Sequence, residues 1–203
     1  MIYDADTTDY RLPSKDPFQV FEIWHRQVKK KQSEDPTVVN LATVSKNRPK
    51  SRTVLLKDFN GSKFTFFTNY SSDKGKELAE NPYAALTFWW KSCDYQVRVE
   101  GKIQKSTRED SINYFQSRSR DSQLASIVSS QSSPIDSRDK LLKMLETKRL
   151  QTEGHDLECP PDWGGYDLIP DRFIFFIYGE HRINDRFEFL LKEDFWEIRR
   201  LQP

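Results

Sequence analysis

Near the C-terminus, Arg182, Asn184 and Arg186 recur at every second position of Gly179-Glu180-His181-Arg182-Ile183-Asn184-Asp185-Arg186-Phe187. On a β-strand the three side chains would share one face. Two guanidinium forks beside an amide suit an electron-rich planar or anionic ligand, although a half-exposed strand with a basic, solvated face is the plain alternative. Four other polar groupings accompany them. Arg52 and Lys57 bracket an apolar strand, five apart and therefore of opposite facing unless a bulge intervenes, so that one strand could serve two separate anions. Thr68 to Lys74 is a hydroxyl-rich loop leading into a short helix, where backbone N–H groups and Lys74 can meet a phosphate, or where Ser72 or Asp73 is an ordinary N-cap. Tyr114 and Arg118, four apart on a helix face, are followed by Arg120, Asp121 and Ser122; surface ion pairing is the other reading. Ser129-Ser130-Gln131-Ser132-Ser133 is dense in hydroxyl donors, or is simply a linker. Together they supply donors for two phosphates and one flat ring system.

Composition narrows the field. A chain of 203 residues suffices for one domain. At this length folding buries roughly 70% of the unfolded surface. With 32 Lys plus Arg against 31 Asp plus Glu, the net charge of +1 provides no global field for nucleic acid or an anionic membrane. The basic run Lys29-Lys30-Lys31 ends a helix, where it suits the dipole. Seven glycines form no dinucleotide or P-loop signature, so side chains must hold any cofactor phosphate. Cys93, Cys159 and three histidines make no metal-ligand pattern and fit a reduced, cytoplasmic protein. No apolar stretch approaches the ~20 residues of a membrane span, and Met1 to Arg11 is acidic and polar rather than signal-like.

The elements that must position these residues are mostly strands. A helix over 16–32 opens with Asp16 as N-cap and Pro17 at its first position, and sets Phe18, Phe21, Trp24 and Val28 on one face. Period-two segments rich in Val, Thr, Phe, Tyr and Trp then predict strands at 37–45, 50–58, 63–69, 83–91 and 95–105, with turns at 46–49, 60–62 and 81–82 and a short helix at 73–80. A helical interlude covers 107–150, and strands follow at 172–178, 185–192 and 195–201. Seven or eight short strands with few helices predict a closed or nearly closed antiparallel β-barrel with the helices packed outside.

The stretches RTVLLK (52–57), FFTNYSSDK (66–74), YQVRVEG (95–101), NYFQSRSRDSQ (113–123), SSQSS (129–133), WGGY (163–166) and GEHRINDRFEF (179–189) resemble, in this order and spacing, the pyridoxamine 5′-phosphate oxidase family. The resemblance runs from about Asp16 to the C-terminus. It implies one split-barrel domain over 1–203, an antiparallel Greek-key β-barrel, in a homodimer with FMN at the subunit interface, the N-terminal helix 16–32 and the segments 107–150 and 163–203 contributing to dimerisation and active site. It further implies oxidation of pyridoxamine or pyridoxine 5′-phosphate to pyridoxal 5′-phosphate, with dioxygen as acceptor and hydrogen peroxide released, in a cytoplasmic vitamin B6 salvage role.

Carried over by position, the resemblance assigns Arg52 and Lys74 to the FMN phosphate, with Gln131 and Ser132 adding donors. Thr53, Val54, Leu55 and Lys57 on one strand, and Phe67 and Thr68 on the next, would line the flavin and its ribityl chain. Gln96, Phe176 and Arg186 would be further flavin contacts. Lys57, Tyr114, Arg118 and Ser122 match the cradle of the substrate phosphate, and Arg182, with Asn184, falls at the catalytic position over the substrate ring.

Three positions depart from the family pattern. Asn184 stands where the family has histidine; an amide cannot exchange a proton near neutral pH, so the alcohol substrate is expected to suffer more than the amine. Asp73 replaces an arginine beside Lys74, which should weaken FMN binding. Phe176 replaces a tryptophan and loses its N–H donor. The N-terminus offers only Tyr3, Tyr10 and Arg11 as counterparts of an Arg-rich covering segment. A paralogue of low activity, binding FMN or pyridoxal 5′-phosphate as carrier or sensor, is the alternative reading.

Overall fold

The computed structural model describes residues 12–203; Tyr3, Tyr10 and Arg11 lie outside the described residues. The first helix, α1 (Pro17–Lys31), starts where Asp16 accepts the Phe18 N–H, and Gln32 in the left-handed region ends it. It buries Val20, Phe21, Trp24 and Val28 and leaves its Lys29 to Lys31 end polar. Phe21 meets Phe64 and Phe88 edge-on at 4.8 and 5.0 Å, and Trp24 stacks on Tyr95 at 4.0 Å. Full burial of each such ring stabilises the fold by about 1.5–3 kcal/mol.

Nine strands form one antiparallel sheet among the described residues: β1 (Val38–Ser45), β2 (Arg48–Leu55), β3 (Asp58–Phe59), β4 (Phe64–Asn69), β5 (Tyr83–Trp90), β6 (Tyr95–Lys105), β7 (Trp163–Ile177), β8 (Asp185–Lys192) and β9 (Phe195–Leu201). Their order is β2-β1-β5-β6-β7-β4-β3, with β8 and β9 added alongside β7. Beyond β2, the Leu56 N–H donates to Thr37 O and the Lys57 N–H to Thr65 O, each at 2.8 Å. These bonds draw the β2 edge toward β4 and nearly close the barrel. Alternate residues of every central strand, among them Leu41, Leu86, Val97, Phe173, Phe175 and Phe187, are fully buried inside it.

Two boundaries differ most from expectation. The β1–β2 turn is only Lys46-Asn47, both at positive φ (49° and 61°) as a two-residue hairpin turn requires, so Arg48 and Pro49 belong to the strand. Proline is tolerated there because β2 pairs only with β1 along its length. Strand β7 begins at Trp163, nine residues before the expected start at 172. Its Trp163–Leu168 half pairs with β4 and its Arg172–Ile177 half with β8, while β6 flanks both. A run buried on both faces carries no alternation to betray it.

Three helices occupy the interlude, α3 (Arg108–Ser117), α4 (Arg120–Val128) and α5 (Arg138–Gln151), and α2 (Asp73–Glu80) sits between β4 and β5. Phe115 and Leu124 join Leu157, Cys159 and Trp163 in a second, smaller apolar cluster, against which Phe67 and Tyr114 pack. Helix α5 buries no residue. No helix among the described residues is long and apolar enough to cross a membrane.

Candidate active site

A cavity of about 680 Å³ opens between the β2–β4 side of the barrel and the helical interlude. That is room for a ligand the size of a mononucleotide. Strand β2 lends it Arg52, Thr53, Val54 and Leu55; Lys57 follows just past the strand, and Phe67 and Thr68 come from β4. The expectation that Arg52 and Lys57 face oppositely does not separate them, because the strand ends at Leu55 and Lys57 turns with the chain toward the same space.

Lys74 enters from the first turn of α2. It is 9% exposed, and its ammonium has one protein partner among the described residues, Ser72 Oγ at 3.4 Å. Burial, then the charge of Arg52, holds its pKa below the ordinary lysine value. Ser72 caps α2 by accepting the Gly75 N–H, and Asp73 is exposed and contributes no wall to the cavity. Arg52 donates from Nη1 to Thr43 Oγ1 at 2.6 Å and from Nη2 to Glu77 Oε2. Neither Thr43 nor Glu77 was marked by the sequence; a buried acid in a polar helix is visible only once α2 is docked.

The second polar group surrounds an aromatic stack. Tyr114 lies on Phe67 with centroids 3.9 Å apart and planes at 21°, and Trp163 continues the stack at 5.6 Å from Phe67. The Arg118 guanidinium sits over the Trp163 ring at 4.8 Å and donates to Ser126 Oγ at 2.8 Å. Burial pushes the Tyr114 phenol up in pKa, against the smaller opposing pull of Arg118, so it stays a neutral donor. Ser126, one helical turn beyond Ser122, lines the cavity together with Ser129. Ser122 instead lies within 2.9 Å of the Ser119 hydroxyl at the start of α4. Gln131 reaches back to accept from Thr68 Oγ1 at 2.9 Å, whereas the exposed Ser132 stays outside the lining.

The remaining expected residues stand elsewhere on the same chain. Gln96, Phe176 and Arg186 are register neighbours on β6, β7 and β8, with side chains directed away from the barrel core. Arg186 Nε is buried and has no hydrogen-bond partner among the described residues. Arg182 and Asn184 precede β8 rather than extend it, which corrects the reading of one shared strand face. Glu180–Arg182 is a short 3₁₀ turn, and His181 and Arg182 take positive φ of 55° and 64°. Arg182 is exposed at this turn.

Comparison with known proteins identifies the family. Residues 26–150 match the family described as pyridoxamine 5′-phosphate oxidase, and residues 163–203 match the pyridoxine 5′-phosphate oxidase C-terminal dimerisation region. The chain belongs to the pyridoxamine 5′-phosphate oxidase family. Pyridoxine/pyridoxamine 5′-phosphate oxidase 1 of Hydrogenovibrio crunogenus is 44% identical over 192 residues, covering 93% of this chain and 88% of its own length. The oxidase of Coxiella burnetii is 41% identical over 189 residues, covering 93% of this chain and 96% of its own. Among solved structures, PhzG of Burkholderia lata superposes with a TM-score of 0.90 at 23% identity, each chain covered in full. A pyridoxamine 5′-phosphate oxidase-related, FMN-binding protein of Nostoc punctiforme superposes at 0.76 with 17% identity, over 94% of this chain and all of that one. These two likenesses establish the fold: a mainly antiparallel β structure with flanking helices, as the family resemblance implied.

The donor set fits a flavin mononucleotide. Arg52 and the under-partnered Lys74 form a cationic pair for a phosphate, and the β2 and β4 side chains offer an apolar and hydroxyl wall. Arg186 Nε is a buried donor in want of an acceptor.

Proposed function

We propose that this chain is an FMN-dependent oxidase that converts pyridoxamine 5′-phosphate, and pyridoxine 5′-phosphate, to pyridoxal 5′-phosphate, with dioxygen as acceptor and hydrogen peroxide as the second product, in vitamin B6 salvage. The observation that carries the reading is one cavity holding two cationic groups, Arg52 with Lys74 and Lys57 with Arg118, beside a stacked aromatic wall. Two anions and a planar ring are what this substrate and cofactor bring. When bound, FMN supplies the acceptor for the hydride and passes the electrons to dioxygen.

The protein contributes placement and electrostatics. Arg52 and Lys74 hold the cofactor phosphate, with Thr68 and Gln131 nearby as polar partners. Lys57, the neutral Tyr114 phenol and Arg118 hold the substrate phosphate. Arg118 is itself fixed by Ser126 and by the Trp163 face, so little rotamer entropy is lost on binding.

The Gln96, Phe176, Arg182 and Arg186 group serves the cavity of a second copy, which makes the working form a homodimer. Supporting this, one outer face of the sheet exposes Val38, Leu55, Trp89 and Tyr178, each 38–48% accessible. A continuous apolar face of this kind on a soluble chain marks an interface.

The test is anaerobic. FMN-saturated protein is mixed with pyridoxamine 5′-phosphate and the oxidised-flavin absorbance is followed before air is readmitted. Bleaching, then recovery with pyridoxal 5′-phosphate and peroxide formed, is the expected result. A flavin that binds yet stays oxidised with both substrates would replace the oxidase by a carrier or sensor.

A further inference from the structure

A carboxylate buried beside a phosphate-binding pair is unfavourable unless it performs a task. Glu77 is 8% exposed, on the face of α2 that also carries Lys74, and its Oε2 takes two bonds. One comes from Thr43 Oγ1 at 2.6 Å, the other from Arg52 Nη2. Thr43 passes on the same constraint, since its hydroxyl accepts from Arg52 Nη1 at 2.6 Å while donating to Glu77. Leu41 O accepts from Nη1 as well, at 3.4 Å.

The two terminal nitrogens of Arg52 are thus tied to one side by β1 and α2. The Nε–H and one Nη2 N–H are left without a protein partner among the described residues. That side-on pair is the one a phosphate accepts bidentately.

We propose that Glu77, acting through Thr43 and Arg52, is the positioning residue of the cofactor-phosphate site: it fixes the guanidinium so that its free edge meets the phosphate, and thereby sets the preference for a phosphorylated over an unphosphorylated flavin. The inference rests on the FMN reading above. Glu77 touches neither ligand. Its charge lies on the far side of the guanidinium from the phosphate, so what it gives in orientation exceeds what it costs in repulsion.

The experiment compares FMN with riboflavin, binding each to flavin-free protein and reading the quenching of flavin fluorescence. In Glu77→Gln, FMN binding should weaken by about tenfold or more, the worth of one charge-assisted bond, while riboflavin binding stays within twofold. Thr43→Val keeps the ion pair and removes the bridge, and should show a smaller loss confined to FMN. It carries the test should Glu77→Gln fail to fold.

In the Arg52→Ala background, Glu77→Gln should change FMN binding little, since the effect passes through Arg52. Equal weakening of FMN and riboflavin would reduce Glu77 to a pin between α2 and the barrel. Unchanged or tighter FMN binding would leave it a repulsive charge. Either overturns the proposal. Wild-type protein that does not distinguish FMN from riboflavin would overturn the cofactor reading itself, whatever Glu77 does.

Discussion

Asn184 Oδ1 accepts the Gly179 N–H at 3.0 Å, closing a six-residue loop with Arg182 at its turn. Within it the Ile183 N–H donates to Glu180 O, and a Cβ at position 179 would lie 2.0 Å from Ile183 O, so only glycine fits. The left-handed His181 and Arg182 cost on the order of 1 kcal/mol each. Strain of this kind persists where the surroundings impose it.

The first prediction concerns this latch. Asn184→Leu removes the acceptor and should lower kcat/KM by roughly tenfold or more, whereas Asn184→Asp keeps an acceptor and should retain most activity. Asn184→His should raise turnover of the alcohol substrate relative to the amine, because an imidazole can take a proton where the amide cannot. Steady-state rates on both substrates check this; an unchanged ratio removes the acid-base part of the argument and leaves the latch.

A second prediction follows from Lys74. Its pKa lies below the usual 10.5, chiefly through burial, so the charged form is disfavoured in the flavin-free fold and restored by a phosphate. FMN affinity should fall as pH rises through the lowered pKa, at a pH below that of an ordinary lysine. Linkage gives the flavin-free fold the opposite trend, gaining stability from this group as pH rises from the lowered pKa toward 10.5. Lys74→Arg stays charged and should bind FMN uniformly across that window. FMN titrations at several pH values decide; a wild-type affinity flat to pH 10.5 would mean that Lys74 does not hold the phosphate.

Tyr114→Phe preserves the stack on Phe67 and deletes one donor. The kcat/KM for pyridoxamine 5′-phosphate should drop by roughly tenfold to a hundredfold, mostly in KM, as for a hydrogen bond to a charged group. FMN affinity should stay unchanged. A fall in FMN binding instead would move Tyr114 from the substrate to the cofactor side.

Trp89 is 48% exposed, opposite Gln96 in the β5–β6 register, and meets Tyr178 edge-on at 4.8 Å. Trp89→Glu should leave the barrel folded and split the proposed homodimer, with FMN affinity lost alongside. Light scattering on the eluting protein, with and without FMN, measures this. A variant that remains a dimer would place the interface elsewhere.

The β-barrel and most element positions were legible because strands with one face in the core alternate, and α1 carried its own start signals in Asp16 and Pro17. The front half of β7 was not legible, since Trp163–Leu168 is buried on both faces and shows no period. Of the site, the cations stood out by type and spacing. What was missed is what fixes them: Thr43, Glu77 and Ser126 are ordinary residues whose meaning arises only when β1, α2 and α4 converge on Arg52 and Arg118. The regular spacing of Arg182, Asn184 and Arg186 misled for the opposite reason, because left-handed residues break the strand that the pattern imitates.

Strand β7 carries Trp163 in the cavity of its own chain and Phe176 in the outward row, thirteen residues and roughly 40 Å of extended backbone apart. Pairing with β4 over Trp163–Leu168 and with β6 from Tyr166 onward makes that span a stiff rod, interrupted on the β6 side at the irregularity of Glu100-Gly101. In the proposed homodimer each rod has one end in its own site and the other in its neighbour's. A shift that tightens one site therefore pulls directly on the second, and the two active centres are expected to respond to ligand as a mechanically linked pair.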